Sequence, residues 1–351
     1  MKIAVLVSGG VDSSVALCLL KEQGHDVTAF YLKIWLEDEL SFLGTCPWEE
    51  DLKYVEALCQ QLDVPLRIIS LQKEYWDEVV SYTIAEARAG RTPNPDVLCN
   101  QRVKFGAFFT HIGTDFDKVA TGHYAQVEVV KGICYLKQSP DPIKDQTYFL
   151  SHITQDQLSK ALFPIGHLEK FQVRALAERY NVPSKGRKDS QGICFLGKVS
   201  FPEFLHHYLG DKKGALVEFE TKQVMGEHRG FWYYTIGQRQ GIGLAGGPWY
   251  VVSKDTTENK VYISRSYYAL EKHRNRFTVV NCNWFGTQPT SGMYILKLRH
   301  GAAFHQAQVT FVQDAVEVLL QERDQGIAPG QFAVFYDHGL CLGGGSIQEL
   351  S

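Results

Sequence analysis

Several features are missing from this 351-residue chain, and each absence excludes something. No apolar run approaches the ~20 residues that a membrane-spanning helix needs. No Cys-x-x-Cys pair occurs, which argues against a zinc ribbon or a sequence-clustered iron–sulfur site. The eight cysteines (18, 46, 59, 99, 134, 194, 282, 341) are dispersed, unlike those of a secreted disulfide scaffold. Neither GxxxxGK followed by Ser or Thr nor GxGxxG stands after the first strand-like run, so the common nucleotide fingerprints are lacking. There is no internal repeat and no low-complexity tract. Net charge is small: 36 Lys and Arg against 39 Asp and Glu leave −3, so a nucleic-acid partner would need local basicity. The first residues already read as a strand, so no signal or transit segment is expected. The expectation is a reduced, cytoplasmic protein without a membrane partner.

What is present is organised around residues 2–14. Ile3 to Val7 is a short apolar run with the composition of a strand buried on both faces. Gly9 and Gly10 permit a sharp turn, and Val11, Val15, Cys18 and Leu19 recur at helical spacing up to a stop at Gly24. Strand, glycine turn and helix N-terminus together make an anion site, because free N–H groups and the helix dipole both favour phosphate. Ser8 and Ser13 can hydrogen-bond phosphate oxygens, and Asp12 can hold a cation or a positioned donor. A plain glycine turn of any α/β protein is the alternative.

Along the chain, strands are expected at 26–34, 65–71 and 117–121, and helices at 11–23, 52–62, 73–88, 103–109, 154–162, 168–180 and 202–209. Apolar strands alternating with helices predict a parallel sheet covered on both faces, with ligands beyond the strands' carboxyl ends. Two proline-broken polar loops interrupt this pattern, at 91–100 and 139–148. The first places Asp96 and Cys99 just before a helical pattern. There Arg102, Lys104 and the helix N-terminus predict a depressed thiol pKa for Cys99, favoured by the polar Asn94, Asp96 and Asn100 around it; a buried small hydrophobe is the alternative. Cys194 lies in a basic, glycine-bearing loop, 185–195, a setting for a thiolate or for RNA phosphate. Residues 215–252 read as a small mixed or β unit. From 277 onward, short evenly spaced strands suggest an antiparallel β-barrel, the last of them running into Gly343-Gly344-Gly345. Residues 37–51 are strongly acidic. Two basic stretches, 170–188 and 265–300, are either solvated faces or a surface for a polyanion.

The order of Ser8-Gly9-Gly10-Val11-Asp12-Ser13, Thr92-Pro93-Asn94-Pro95-Asp96 leading to Cys99-Asn100, Thr121-Gly122-His123-Tyr124, Lys144-Asp145-Gln146, Gly192-Ile193-Cys194-Phe195 and Leu342-Gly343-Gly344-Gly345 closely resembles the tRNA-specific 2-thiouridylases (MnmA/TrmU family). The first loop by itself resembles the signature of the N-type ATP pyrophosphatases, and the wider resemblance covers essentially the whole chain. It implies an α/β ATP-pyrophosphatase (adenine nucleotide alpha hydrolase-like) domain at 1–200, a small central α+β domain at 201–270 and a C-terminal antiparallel β-barrel at 271–351.

The resemblance also implies an ATP-dependent sulfurtransferase, with Mg²⁺ accompanying ATP, that makes 2-thiouridine at the wobble position of tRNA, with DNA no partner. Leu6, Val7, Ser8, Gly9, Gly10, Val11, Asp12, Ser13, Leu32 and Gly122 match nucleotide contacts; no residue is assigned as a metal ligand. Asp96 is well placed in sequence to act as general acid/base; by resemblance Cys194 matches the persulfide carrier and Cys99 the partner nucleophile, leaving a Cys99–Cys194 disulfide after transfer. Asn94, Pro95, Asp96, Lys144, Asp145, Gln146, Arg299 and His300 match tRNA-binding positions, and a cysteine desulfurase or sulfur-relay protein is the implied persulfide donor. Two positions depart from the family pattern: Leu32 stands where Met is frequent, and His300 where Tyr is common. Two other readings stay open at this level. One is an ATP pyrophosphatase that uses an amine and needs no cysteine pair; the other is a nucleotide-gated RNA-binding protein.

Overall fold

In the computed structural model, residues 1–34, 47–188, 200–272 and 274–350 are described. Strand β1 (Lys2–Leu6) is central because Ile3, Ala4 and Val5 expose no surface. It pairs in parallel with β2 (Asp26–Lys33) on one side and β4 (Lys118–Ala120) on the other. β3 (Leu66–Ser70) and β7 (Ala161–Leu162) extend the sheet in parallel, giving the order β3-β2-β1-β4-β7. One face is covered by the helix Val11–Glu22, the helix Pro47–Leu62 and the helix Lys170–Arg179. The other carries the continuous helical run from Gln72 to Arg88 and the one from Pro95 to Ile112.

Three local expectations are corrected. The helix expected over 154–162 stops at Lys160, and Ala161–Leu162 pair with Val119 and Ala120 instead. Ala161 is buried against the sheet, and Pro164 biases the preceding chain away from helix, so strand pairing prevails. The helix expected over 103–109 begins earlier, at Pro95. A proline at the first helical position loses no hydrogen bond, since that N–H has no intrahelical acceptor. Gly343, Gly344 and Gly345 do not end a strand but lie inside β17 (Leu340–Leu350). There a Cβ on Gly343 would fall 2.0 Å from the Asn283 carbonyl oxygen, and one on Gly344 2.6 Å from that of Ala333. Glycine is what lets β17 pass so close to both neighbours.

A four-stranded mixed sheet follows, in the order β10-β11-β8-β9: β8 (Gly214–Glu218), β9 (Val224–His228), β10 (Tyr250–Asp255) and β11 (Lys260–Ser264). Its core holds Leu216, Phe231, Trp249, Val251, Val261 and Ile263. The C-terminal strands are β12 (Arg274–Trp284), β13 (Gly292–Lys297), β14 (His305–Val312), β15 (Ala315–Asp324), β16 (Phe332–Asp337) and β17. They run β12-β15-β14-β13-β16-β17, and β17 pairs back onto β12, closing an antiparallel barrel. Alternate residues such as Val279, Leu296, Val309, Val318 and Phe335 point inward to fill it.

An unforeseen hairpin, β5 (Ala125–Val130) and β6 (Ile133–Gln138), leaves the parallel sheet and adds to the barrel. Leu136 and Lys137 pair with Cys341 and Leu340 of β17. The core cluster around Val97, Cys99 and Phe105 accordingly includes Leu136, Phe332, Val334, Tyr336 and Cys341. The barrel is thereby packed directly against the long helix that begins at Pro95.

Candidate active site

The turn after β1 is built to receive an anion. Gly10 stands at the N-cap of the helix Val11–Glu22 with extended backbone and supplies no side-chain cap, so the first N–H groups have no capping side chain. Gly9 has φ +74, and a Cβ there would sit 2.6 Å from the Asp51 carbonyl oxygen. The Ser13 hydroxyl accepts from the Ser8 N–H at 3.2 Å and lies 3.2 Å from the Ser8 hydroxyl, which ties the two ends of the loop together. Asp12 accepts from Lys170 Nζ at 2.7 Å and from the Tyr124 hydroxyl at 2.9 Å. Arg187 donates to the Gly9 carbonyl at 3.0 Å and pairs with Asp51 at 2.7 Å. Leu6, Val7 and Val11 are buried behind the turn, and Leu32 is half-buried on β2. Gly122 is required by contact with the loop itself: a Cβ there would lie 2.6 Å from the Ser13 nitrogen.

Asp96 and Cys99 lie one turn apart near the start of the second long helix. Cys99 is buried beneath that turn, and the expectation of a depressed pKa fails. Burial pushes its thiol up to about 11; Lys104 and a hydrogen bond from Tyr75 pull it down, while Asp96 pushes it further up. The helix begins four residues before Cys99, so desolvation outweighs any benefit from the helix terminus. Asp96 is half-buried, and its Oδ1 is a buried oxygen that makes no hydrogen bond among the described residues. Asn94, at the N-cap, is buried and donates to the Tyr148 hydroxyl at 3.4 Å; Pro95 beside it is buried as well.

Bonds connect these two groups. Tyr124, which holds Asp12, exchanges backbone and side-chain hydrogen bonds with Gln146, each 2.9 Å. Two residues beyond Thr147, the Phe149 carbonyl accepts from Asn100 Nδ2 at 3.0 Å, and Lys104 Nζ donates to Asn100 Oδ1 at 3.0 Å. His123 lies near Lys104, with its Nδ1 2.7 Å from the Thr121 hydroxyl; burial and then Lys104 hold its pKa well below the usual histidine value, so it is neutral.

Asp145 faces inward rather than toward a partner. It forms a fully buried ion pair with Lys297 of β13 at 2.9 Å and also accepts from the Thr147 hydroxyl at 2.8 Å. Lys144 beside it is half-buried. Arg299 and His300 are exposed at the barrel's near rim. Arg299 pairs with Asp324 at 2.7 Å, and the His300 ring stacks on Phe149 with centroids 4.8 Å apart.

Comparison with known proteins now bears on this arrangement. Residues 1–198 match the family model described as the tRNA methyl transferase HUP domain. Residues 202–265 match a tRNA methyl transferase PRC-barrel domain, and 274–347 an aminomethyltransferase beta-barrel domain. A tRNA-specific 2-thiouridylase MnmA of Parabacteroides distasonis is 47% identical over 99% of both chains. One of Porphyromonas gingivalis is 44% identical, again over 99% of both. The chain belongs to the tRNA-specific 2-thiouridylase family. Among solved structures, a U34-tRNA thiolase NcsA from Methanococcus maripaludis with its [4Fe-4S] cluster aligns at TM-score 0.34 and 17% identity, over 58% of this chain and 63% of that one.

In this 2-thiouridylase-family chain the residues fit ATP. An uncapped helix N-terminus, a glycine cradle, two hydroxyls and Lys170 converge on one turn. The fit to Mg²⁺ is narrower. Among the described residues no group of three or more His, Cys, Asp or Glu side chains could hold a metal. Asp12 and Asp51, the carboxylates at the loop, are each ion-paired. A Mg²⁺ here would take most of its ligands from phosphate and water, as is usual for that ion.

The basic stretches turn out to be largely paired within the chain. Lys170 pairs with Asp12, Arg179 with Glu22, Lys185 with Glu178 and Arg187 with Asp51. Arg174 donates to the carbonyls of Lys185 and Arg187. In the second stretch Arg265 pairs with Glu218, Lys272 with Glu220 and Arg299 with Asp324. Linear charge counting could not see these partners, which are mostly remote in sequence. For the same reason it missed Lys170, Arg187, Asp51 and Tyr124 as the side chains bonded around the Ser8–Ser13 turn. Cys194 and most of the acidic 37–51 stretch lie outside the described residues.

Proposed function

We propose that the protein is an ATP-dependent tRNA uridine 2-sulfurtransferase that converts the wobble uridine of tRNA to 2-thiouridine. The observation that carries this reading is the connection of an uncapped phosphate loop, through Tyr124, Gln146, Phe149 and Asn100, to a helix presenting Asp96 and Cys99. An amine-using ligase needs no such cysteine.

The uridine O2 is a poor leaving group, and ATP supplies the adenylyl group that makes it a good one. Ser8, Gly9, Gly10, Val11 and Ser13 hold the phosphates by N–H and hydroxyl groups, and Lys170, steadied by Asp12, adds positive charge. Leu6, Val7 and Leu32 offer apolar surface to the adenine, with Gly122 keeping the loop close. Asp12 would be the carboxylate to hold an accompanying Mg²⁺. The base must leave its stack to reach Asn94, Pro95 and Asp96, at a cost of about a few kcal/mol that is smallest in an anticodon loop.

A persulfide on Cys194 attacks C2 with its outer sulfur, and AMP departs with the former O2. Cys99, as thiolate, then attacks the Cys194 sulfur. The sulfur–sulfur bond to the base breaks, leaving 2-thiouridine and a Cys99–Cys194 disulfide, which an external thiol reduces before the next turnover. Asp96, with an unpartnered oxygen, is the group to accept the Cys99 proton. Lys144, Arg299 and His300 are suited to touch tRNA, while Asp145 and Gln146 hold that surface in place. The persulfide comes from a cysteine desulfurase or a relay protein. This thiol cycle needs a reducing compartment, and the cytoplasm provides one; among the described residues no helix is long and apolar enough to cross a membrane. Segments 1–200, 201–270 and 271–351 would serve as the catalytic, central and tRNA-facing units.

A direct test places ¹⁸O at O2 of the wobble uridine. The label should appear in AMP, one atom per 2-thiouridine formed. Label released to water with unlabelled AMP would refute adenylation at O2.

A further inference from the structure

Tyr75 stands in the core with no exposed surface, at the end of the short helix Gln72–Tyr75, which packs against the helical segment that carries Cys99. Both residues belong to one apolar cluster with Val79, Val97, Val103 and Phe105. A phenylalanine would fill this place without desolvating a hydroxyl, and a buried hydroxyl is costly unless it is bonded. The Tyr75 hydroxyl donates to the Cys99 sulfur. The backbone is also unusual at this contact. Trp76–Val80 and Cys99–Ala107 are both π-helical, and the two segments pack together. Such widened turns are rare and recur at functional sites.

The bond meets a need of the reaction. Burial holds the Cys99 thiol up to about 11, and the attack on Cys194 requires the thiolate. Of the charged groups around it, Lys104 favours ionisation and Asp96 opposes it, and the Lys104 ammonium donates to Asn100 Oδ1 at 3.0 Å. Tyr75 reaches the sulfur itself. A hydrogen bond to an ionised acceptor is roughly twice as strong as one to a neutral group, so a fixed donor favours the thiolate. We infer that Tyr75 is a catalytic residue of sulfur transfer: its hydroxyl holds the Cys99 sulfur and stabilises the thiolate that attacks Cys194. This rests on the proposed function of Cys99. In that step Asp96 takes the thiol proton and Tyr75 keeps its own. The sulfur lone pair forms the Cys99–Cys194 bond, and the electron pair of the bond between Cys194 and the base sulfur leaves with the base.

The test compares wild type with Tyr75→Phe, which keeps the ring and removes the donor. Iodoacetamide alkylation of Cys99 at pH 9 is followed by peptide mass spectrometry, with Cys59, buried in the other core cluster of the parallel sheet, as internal control. Cys99 alkylation should slow about fivefold in the variant, while that of Cys59 stays at the wild-type rate. A loosened core has the opposite sign, because exposure speeds alkylation. The kcat for tRNA thiolation should fall about tenfold, with the KM for tRNA and calorimetric ATP affinity at wild-type values. Cys99 alkylation as fast as in wild type, or a kcat within twofold of wild type, overturns the inference. If Tyr75→Phe does not fold, 3-fluorotyrosine at position 75 decides: this stronger donor should speed Cys99 alkylation, and a rate no faster than wild type overturns the inference. Wild type that makes no 2-thiouridine would instead refute the proposed function, and the alkylation rates would still show whether Tyr75 holds the sulfur.

Discussion

Arg187 donates to the carbonyl of Gly9 at 3.0 Å across 178 positions of chain, and the same guanidinium pairs with Asp51 at 2.7 Å. A residue from a stretch that looks like an RNA-binding patch is thereby bonded to the glycine turn after β1. Gly9 is left-handed, and a Cβ there would collide with the Asp51 backbone, so glycine is what admits this close packing. Arg187→Ala should raise the KM for ATP about tenfold, as loss of a charge-assisted hydrogen bond does. The salt dependence of tRNA binding should not change, because no phosphate contact is lost. A shallower salt slope at unaltered ATP affinity would return Arg187 to the tRNA surface.

Cys99 is protected by its own burial. With its thiol held up to about 11, the folded protein keeps it neutral at physiological pH. Alkylation by iodoacetamide, followed by peptide mass spectrometry, should be slow at pH 8 and climb above pH 9, since the thiolate appears only as pH approaches the raised value. Alkylation already at its maximum at pH 8 would contradict this. Removing the nearby carboxylate has opposite effects on the two reactions. Asp96→Asn takes away a charge that raises the Cys99 pKa, so alkylation should quicken. Thiolation, which needs a proton acceptor, should fall by roughly 10²-fold or more.

The Asp145–Lys297 pair joins the parallel-sheet part of the chain to the barrel with both side chains almost wholly buried. Breaking such a pair strands a charge in low dielectric. Lys297→Met should cost about 3–5 kcal/mol in urea unfolding. Adding Asp145→Asn should recover much of that loss, because no unpaired charge then remains. A double variant no more stable than Lys297→Met would show that the ion pair is not the source of the cost.

The parallel sheet, the nucleotide turn and the closing barrel were legible because each follows from local pattern: β-branched runs, paired glycines, alternating strands. What was hidden is tertiary. Hairpin β5–β6 reads as unremarkable sequence until β17 offers it an edge at Leu340 and Cys341. Cys99 looked like a reactive helix-terminal thiol, yet the helix starts earlier, at a proline, and its surroundings are apolar. Asp145 sits in a polar motif, but only the fold shows that its partner is Lys297, 152 positions away. The basic stretches misled for the same reason, their counter-charges being mostly distant in sequence.

The most direct measurement is mass spectrometry of nucleosides from unmodified tRNA incubated with the full chain, ATP, Mg²⁺ and a persulfide source. Wild type, Cys99→Ser and Cys194→Ser are run side by side. The expected result is 2-thiouridine with wild type and none above background with either variant. Wild type that splits ATP to AMP and pyrophosphate without thiolating tRNA would contradict the sulfurtransferase reading and point to an amine acceptor. Thiolation surviving in both variants would show that the cysteines do not carry the sulfur.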